Sequence, residues 1–300
     1  MIKVVSVSLG SAKRDKTVTA TLLNEEVEIS RVGTNGDLKK AIQAIRDLDG
    51  KVDAIGLGGI DLFLWVGNSR FVVRDALKMA RAAKVTPVVD GSGLKHTLEV
   101  RVVENLAQDP RFDLKNKRAL LVSGVDRMGM AKALAKHAKE VMYGDLVFAL
   151  KIPIGIRSYT TLKVLGYTLL PILSKTPFQF LYPVGEKQDE IVPKHGKFYA
   201  WGDVIAGDFH FIRHHMPDRM DGKIILTNTT TEEDVELLRQ RGVKYLVTTT
   251  PVFDGRSFGT NVLEAVIVTL LRKRPENIRA EDYHIMLNKL DFKPSIQELN

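Results

Sequence analysis

The sequence predicts an α/β protein in which a small N-terminal α/β domain precedes a Rossmann-like domain built on a doubly wound parallel sheet. Three observations carry this. Apolar strands alternate with amphipathic helices along most of the chain, the strands of the second half are apolar throughout, and a glycine turn joins strand to helix in LLVSGVDRMGM, residues 120–130. Strands that are apolar on both faces, with a helix between each pair, belong to a parallel sheet covered on both sides.

KVVSVSLG, KTVTATLL and VEISRVG open the chain as β-branched runs, the last two separated by Asn24-Glu25-Glu26, which predicts strands including a hairpin. DLKKAIQAIRDL has the i, i+3, i+4 spacing of an amphipathic helix and leads into the strand VDAIGLGG. A second hairpin, LFLWV-GN-SRFVV, is followed by helix RDALKMARAA, strand TPVVDG and helix LKHTLEVRVVENLA. The polar stretch QDPRFDLKNK is the predicted linker, so the first domain covers residues 1–114. From RALLVSG onward the alternation is regular: RMGMAKALAKHA, EVMYGD, SYTTLKVLGYTLLPILS, FQFLYP, DVIAGD, FHFIRHH, KIILTN, EEDVELLRQRG, YLVTTT and NVLEAVIVTLLRK. This defines a second domain over residues 115–273. The segment 274–300, after the helix-stopping Pro275, reads as a helical tail packing back on the first domain.

Composition restricts the chemistry. The chain has 300 residues and no cysteine, which excludes disulfides, Fe–S clusters, thiolate zinc sites and a cysteine nucleophile. Its net charge of +8 comes from 44 basic residues scattered among 36 acidic ones, a mild bias toward anionic ligands and not a nucleic-acid surface. MIKVVSVSLGSAKR lacks a signal peptide's apolar stretch, and VLGYTLLPILS falls short of the ~20 residues that span a bilayer. The expectation is a soluble cytoplasmic protein with a small anionic metabolite as partner, no nucleic acid and no membrane. A homodimer is a possible assembly.

A parallel sheet binds ligands at the carboxyl ends of its strands. The candidates are therefore Gly124 to Gly129, Asp145, Tyr182 to Gly185, Gly207 to His210, Asn228 to Thr231 and Thr249 to Pro251. The turn after RALLVSG resembles the dinucleotide fingerprint G-x-G-x-x-G/A, with Asp126 where the second glycine belongs. Asp126 is expected to act as an N-cap, accepting from the N–H of Met128 or Gly129, while Arg127 supplies positive charge to the phosphates. Asp145, about 20 residues on, is placed to accept from the ribose hydroxyls and to repel a 2′-phosphate, which favours NAD over NADP. The expected cofactor contacts are Gly124, Asp126, Arg127, Met128, Gly129, Asp145, Asn228, Thr229 and Thr250. S-adenosylmethionine, or a purely structural turn, are the alternatives. Thr231 and Asp234 form a capping pattern.

Hydride transfer to nicotinamide asks the protein for a proton relay and for cations to orient a carboxylate. VVDGSGLKHTLE supplies Asp90, Ser92, Lys95 and His96 after an apolar strand, and IGLGGID supplies Asp61. Lys95, Asp90 and His210 are the candidate catalytic groups, and Asp61, Ser92, His96 and Arg256 the candidate substrate contacts. Capping and turn roles for Asp90, Ser92 and Asp61 compete with these assignments. In DFHFIRHH, His210 and His214 are spaced i, i+4, and Asp208 and His215 lie close by, a spacing that can ligate metal; exposed histidines favoured by the dipole near a helix C-terminus are the preferred reading, and no metal is expected.

The segments LLVSGVDRMGMAKAL, GDVIAGDFHFIRHHMPDRMDGKIILTNTTTEEDVELLRQRGVKYLVTTTP and DGRSFGTNVLEA resemble bacterial quinate 5-dehydrogenases, which are distantly similar to shikimate dehydrogenases. The resemblance implies NAD(P)-dependent oxidation of a ring hydroxyl in a cyclic polyol acid. The chain has neither the N-V-T-x-P-x-K segment nor the G-A-G-G-A turn of shikimate dehydrogenases. A non-catalytic nucleotide-binding or regulatory protein on the same fold is the competing reading.

Overall fold

A computed structural model of the protein describes residues 1–67, 69–177, 190–250, 252–253, 256–257 and 259–300, with only the backbone of 252, 253, 256 and 257. The predicted strand FQFLYP and the candidates Tyr182 to Gly185 and Pro251 lie outside the described residues.

The α/β class is what the chain forms. The first sheet contains β1 (Ile2–Ser8), β2 (Thr17–Leu22), β3 (Glu25–Gly33), β4 (Ala54–Gly58) and the two-residue β7 (Val88–Val89), in the order β2-β3-β1-β4-β7. Only β2 runs antiparallel, as the hairpin partner of β3. A second hairpin, β5 (Phe63–Val66) with β6 (Ser69–Val72), stands apart from the sheet. Helices α1 (Leu38–Leu48), α2 (Arg74–Ala80) and α3 (Ser92–Gln108) complete this part of the chain.

The second sheet contains β8 (Arg118–Leu121), β9 (Glu140–Tyr143), β10 (Val204–Ala206), β11 (Ile224–Thr227) and β12 (Tyr245–Thr248). These five are parallel in the order β9-β8-β10-β11-β12, which reverses direction between β8 and β10. Between them come α4 (Met128–His137), α5 (Tyr159–Leu173), α6 (Gly196–Trp201), α7 (Phe209–His215) and α8 (Glu232–Gln240). Alternate residues of β8 serve opposite cores, Ala119 and Leu121 on one face and Leu120 and Val122 on the other. That is why the strand sequence shows no polar alternation.

The short β13 (Val252–Phe253) and β14 (Arg256–Ser257) pair with each other, and α9 (Thr260–Leu271), α10 (Ala280–Lys289) and β15 (Ser295–Glu298) end the chain. Two features differ from the sequence partition. Helix α9, read as part of the second domain, packs on β1 and β4, where Val262, Ala265 and Val266 share a core with Val4, Ala54 and Val89. The tail is not wholly helical: α10 packs on α3, but β15 returns to the second sheet and pairs antiparallel with β12, Tyr245 opposite Glu298. Burial decides both. The apolar face of α9 fits the first sheet, and β15 satisfies an edge that periodicity within four residues cannot announce. Among the described residues no helix is long and apolar enough to cross a membrane.

Candidate active site

The carboxyl ends of both sheets face a common cleft. Ser8 and Gly10 after β1 and Gly58 and Gly59 after β4 approach from one side, with Asp208 and His210 after β10 and Asn228 to Thr231 after β11 on the other. Two adjoining chambers result, of about 140 and 120 Å³. Arg14, Arg31 and Thr229 line the first; Asp61, Lys95, Asp126 and Arg127 line the second; His210 and Asn228 line both. Pockets that enclose drug-sized ligands measure roughly 300–1,000 Å³, so these chambers suit a small metabolite.

Beneath the second chamber lies a continuous ionic network. Lys95 Nζ stands 3.2 Å from Asp61 Oδ1 and 3.8 Å from Asp126 Oδ2, and donates to the Asp126 carbonyl at 3.4 Å. Arg127, 1% exposed, donates to Glu99 and lies 3.2 Å from Asp208 Oδ2. Asp208 also accepts from the N–H of His210 at 2.9 Å and from Asn228 Nδ2 at 2.8 Å. Arg14 reaches His210 Nε2 at 3.3 Å. Lys95 and Glu99 are one turn apart on α3 and therefore share a face, which brings both to the turn before α4.

Four carboxylates, Asp61, Glu99, Asp126 and Asp208, thus surround two cations, Lys95 and Arg127. Burial opposes the Lys95 ammonium most strongly, but Asp61, Asp126 and Glu99 together outweigh it and hold the pKa above its ordinary value. Lys95 is a cation at neutral pH. Burial drives Asp61 and Glu99 upward against the pull of Lys95 and Arg127. For Asp208, burial is overcome by His210 and Arg127, and its pKa falls. Perturbed groups occur both in functional sites and in structural ion-pair networks, and it is their position at a cleft that makes these the candidate site.

The sequence candidates divide. Lys95, His210, Asp61, Asp126, Arg127, Asn228 and Thr229 meet at the chambers, and Lys95 faces the Gly124 to Gly129 turn. Asp90 borders the second chamber, but its carboxylate accepts from the N–H groups of Leu62 (2.6 Å), Phe63 (3.0 Å) and Ser92 and from the Ser92 hydroxyl. Asp90 and Ser92 therefore hold the loop before α3, and the catalytic reading of Asp90 and the substrate reading of Ser92 are withdrawn. His96 points away into a separate groove beside Trp65, with its pKa pushed down to about 4 by burial. Thr250 is buried and donates to the Asn228 carbonyl, and Met128 is buried. The side chain of Arg256 lies outside the described residues. His210 and His214 part company: His214 turns to the carbonyl of Glu190.

The turn corrects its own reading. Asp126 is not the N-cap of α4; Arg127 holds that position without a side-chain cap, and Asp126 accepts from Ser123 Oγ at 2.6 Å. Asp145 does not face a ribose. Its carboxylate accepts from the N–H of Gly124 at 3.0 Å and of Val125 at 2.8 Å, the groups a diphosphate would need. A Cβ on Gly129 would stand 3.0 Å from the His96 carbonyl oxygen, and one on Gly124 2.8 Å from Leu162 Cδ2, so these glycines serve helix packing. Arg127 points inward. A nicotinamide dinucleotide does not fit this turn, because an internal carboxylate already takes its donors and α3 covers its helix.

Glu99, Arg14 and Arg31 escaped the sequence reading. Glu99 carried a usable signal, its i, i+4 relation to Lys95; the two arginines carried none, since their place depends on β1 and β3 lying side by side.

A family described as a domain of unknown function (DUF8754) matches residues 93–299, and another, DUF8753, matches residues 3–90. The chain belongs to the DUF8754 family. No curated protein matches the sequence. Among solved structures, the NAD-dependent malic enzyme of Thermotoga maritima is 15% identical, with 97% of this chain and 83% of that one covered and a TM-score of 0.34. GanP, a glucose-galactose binding protein of Geobacillus stearothermophilus, is 8% identical, with 99% and 97% covered and a TM-score of 0.39.

Proposed function

We propose that the protein is an enzyme performing acid–base chemistry on a small hydroxy or oxo acid held in the cleft. The observation that supports this is the buried Lys95 ammonium beside Asp61, at the base of a chamber lined by polar groups. A cation in a desolvated site stabilises oxygen charge that develops during reaction. Lys95 would steady the enolate formed when a carbon beside a substrate carbonyl gives up its proton. His210 would exchange that proton, and Arg14 would orient the carboxylate together with Arg31, which Asp15 (2.6 Å), the Ser11 carbonyl and Ser8 hold in the chamber wall.

The resemblance to quinate 5-dehydrogenases supports an oxidoreductase of the same substrate class as a second reading. Asp145 in the turn weighs against a dinucleotide at that place. The test is to follow quinate, shikimate and short oxo acids by NMR in deuterated buffer, with and without NAD and NADP. The expected result is deuterium incorporation at the carbon beside the carbonyl of the oxo acids without added dinucleotide, faster than in buffer alone and slowed about 10²–10³-fold in Lys95→Gln. Turnover that requires NAD or NADP would favour the dehydrogenase, and unchanged exchange in Lys95→Gln would overturn the role of Lys95.

A further inference from the structure

A third chamber, of about 100 Å³, adjoins the ionic one. Its walls are Leu64 of β5, Val125 of the turn, Leu165, Leu169 and Leu170 of α5, and Phe211 of α7. Asp126 and Phe211 line this chamber and the second one together, so the two meet at those side chains. Ser123, Asp126 and Asp145 supply its polar lining. Four separate elements build it, so it is not a gap between two neighbouring side chains. The cleft therefore presents, in sequence, arginines and a serine hydroxyl, then the Lys95 network, then an apolar recess.

We infer that the substrate class is amphipathic: a carboxylate at Arg14 and Arg31, an oxygen-bearing carbon at Lys95, and a short alkyl group in the recess behind Asp126 and Phe211. This rests on the acid–base reading of the cleft and adds the chemistry of the third chamber. Covering the leucine side chains of the recess with an alkyl group removes apolar surface from water, which favours binding. The recess suits an unbranched chain of a few carbons. A cyclic polyol would place hydroxyls against leucine side chains and leave them without partners.

Calorimetry on the full chain with 2-hydroxy carboxylates, lengthened one methylene at a time from lactate, tests this. Affinity should rise about fourfold per methylene until the recess is full, then level off. Leu169→Trp, or Leu165→Phe should the tryptophan variant fail to fold, should flatten the series. Arg31→Ala should weaken every member by a similar factor. A short acid that binds with no dependence on chain length would overturn the amphipathic assignment while leaving the acid–base reading intact. Failure of every member to bind, together with absent exchange in the NMR test, would remove both. Length dependence that persists in both leucine variants would place the alkyl group elsewhere and overturn the assignment to this recess.

Discussion

Arg127 is the largest side chain that the described residues enclose completely, and its charge is met by Glu99 and Asp208. Removing one partner of a buried ionic group leaves the other charge desolvated and alone. Arg127→Met should therefore lower stability by roughly 3–5 kcal/mol in urea denaturation, whereas Arg219→Met, at an exposed pair with Asp221, should leave the urea midpoint nearly unchanged. Asp145 makes a pH prediction. Burial lifts its pKa to about 6, above the ordinary 3.8, so between these values the folded state binds more protons than the unfolded state. Its contribution to stability falls as pH rises through that window, by roughly 3 kcal/mol in all. Urea midpoints of Asp145→Asn measured from about pH 4 to pH 7 should lack this component of the wild-type slope; identical slopes would refute the assignment. At this scale the sequence located the groups and not their orientation. That Lys95, Asp61 and Asp126 emerge near one another follows from strand ends. Whether Asp90 or Asp145 faces a ligand or a backbone N–H depends on loops brought together from distant segments.

At the scale of elements, α3 and α4 pack so closely that Gly129 has no room for a methyl group beside His96. Gly129→Ala should separate the helices and cost about 1–3 kcal/mol. Gly196→Ala is the counterpart, since a Cβ there meets nothing within 4 Å at the start of α6. It should be neutral or stabilise by about 0.4–1 kcal/mol. Thermal or urea midpoints of the two variants would compare them directly. The same contact explains why a glycine pattern was misleading in the sequence: small residues admit a helix as readily as a phosphate. Long periodic elements were legible, as in α1 and the hairpins, because their apolar spacing comes from one face meeting a core. The capping pattern at Thr231 was legible too, and both reciprocal hydrogen bonds of the box form. The six-residue α6 and four-residue β15 were not, because each is stabilised by its neighbours and too short to display a period.

For the whole molecule, β15 decides the fate of an edge. It covers β12, whose Tyr245, Leu246, Val247 and Thr248 are all buried. Deleting residues 295–300 should expose a flat, apolar strand and promote association, visible as a rise in light scattering and a lower urea midpoint. A truncated chain with unchanged light scattering and unchanged stability would contradict this account of the edge. The alternation of strands and helices was enough to anticipate a small α/β domain followed by a doubly wound parallel sheet. The path of the C-terminal elements was not, since sequence neighbours predict contact only locally, and α9 returns to a sheet synthesised long before it. That return sets an order of events during biosynthesis. Strands β1 and β4 leave the ribosome early, yet Val4 and Ala54 gain their cover only when Val262 and Val266 follow. At about 5–20 residues per second the interval is roughly 10–40 s. Throughout it the nascent first sheet carries an uncovered apolar face, so that half cannot close until α9 has emerged, and chaperones would find their substrate in that face.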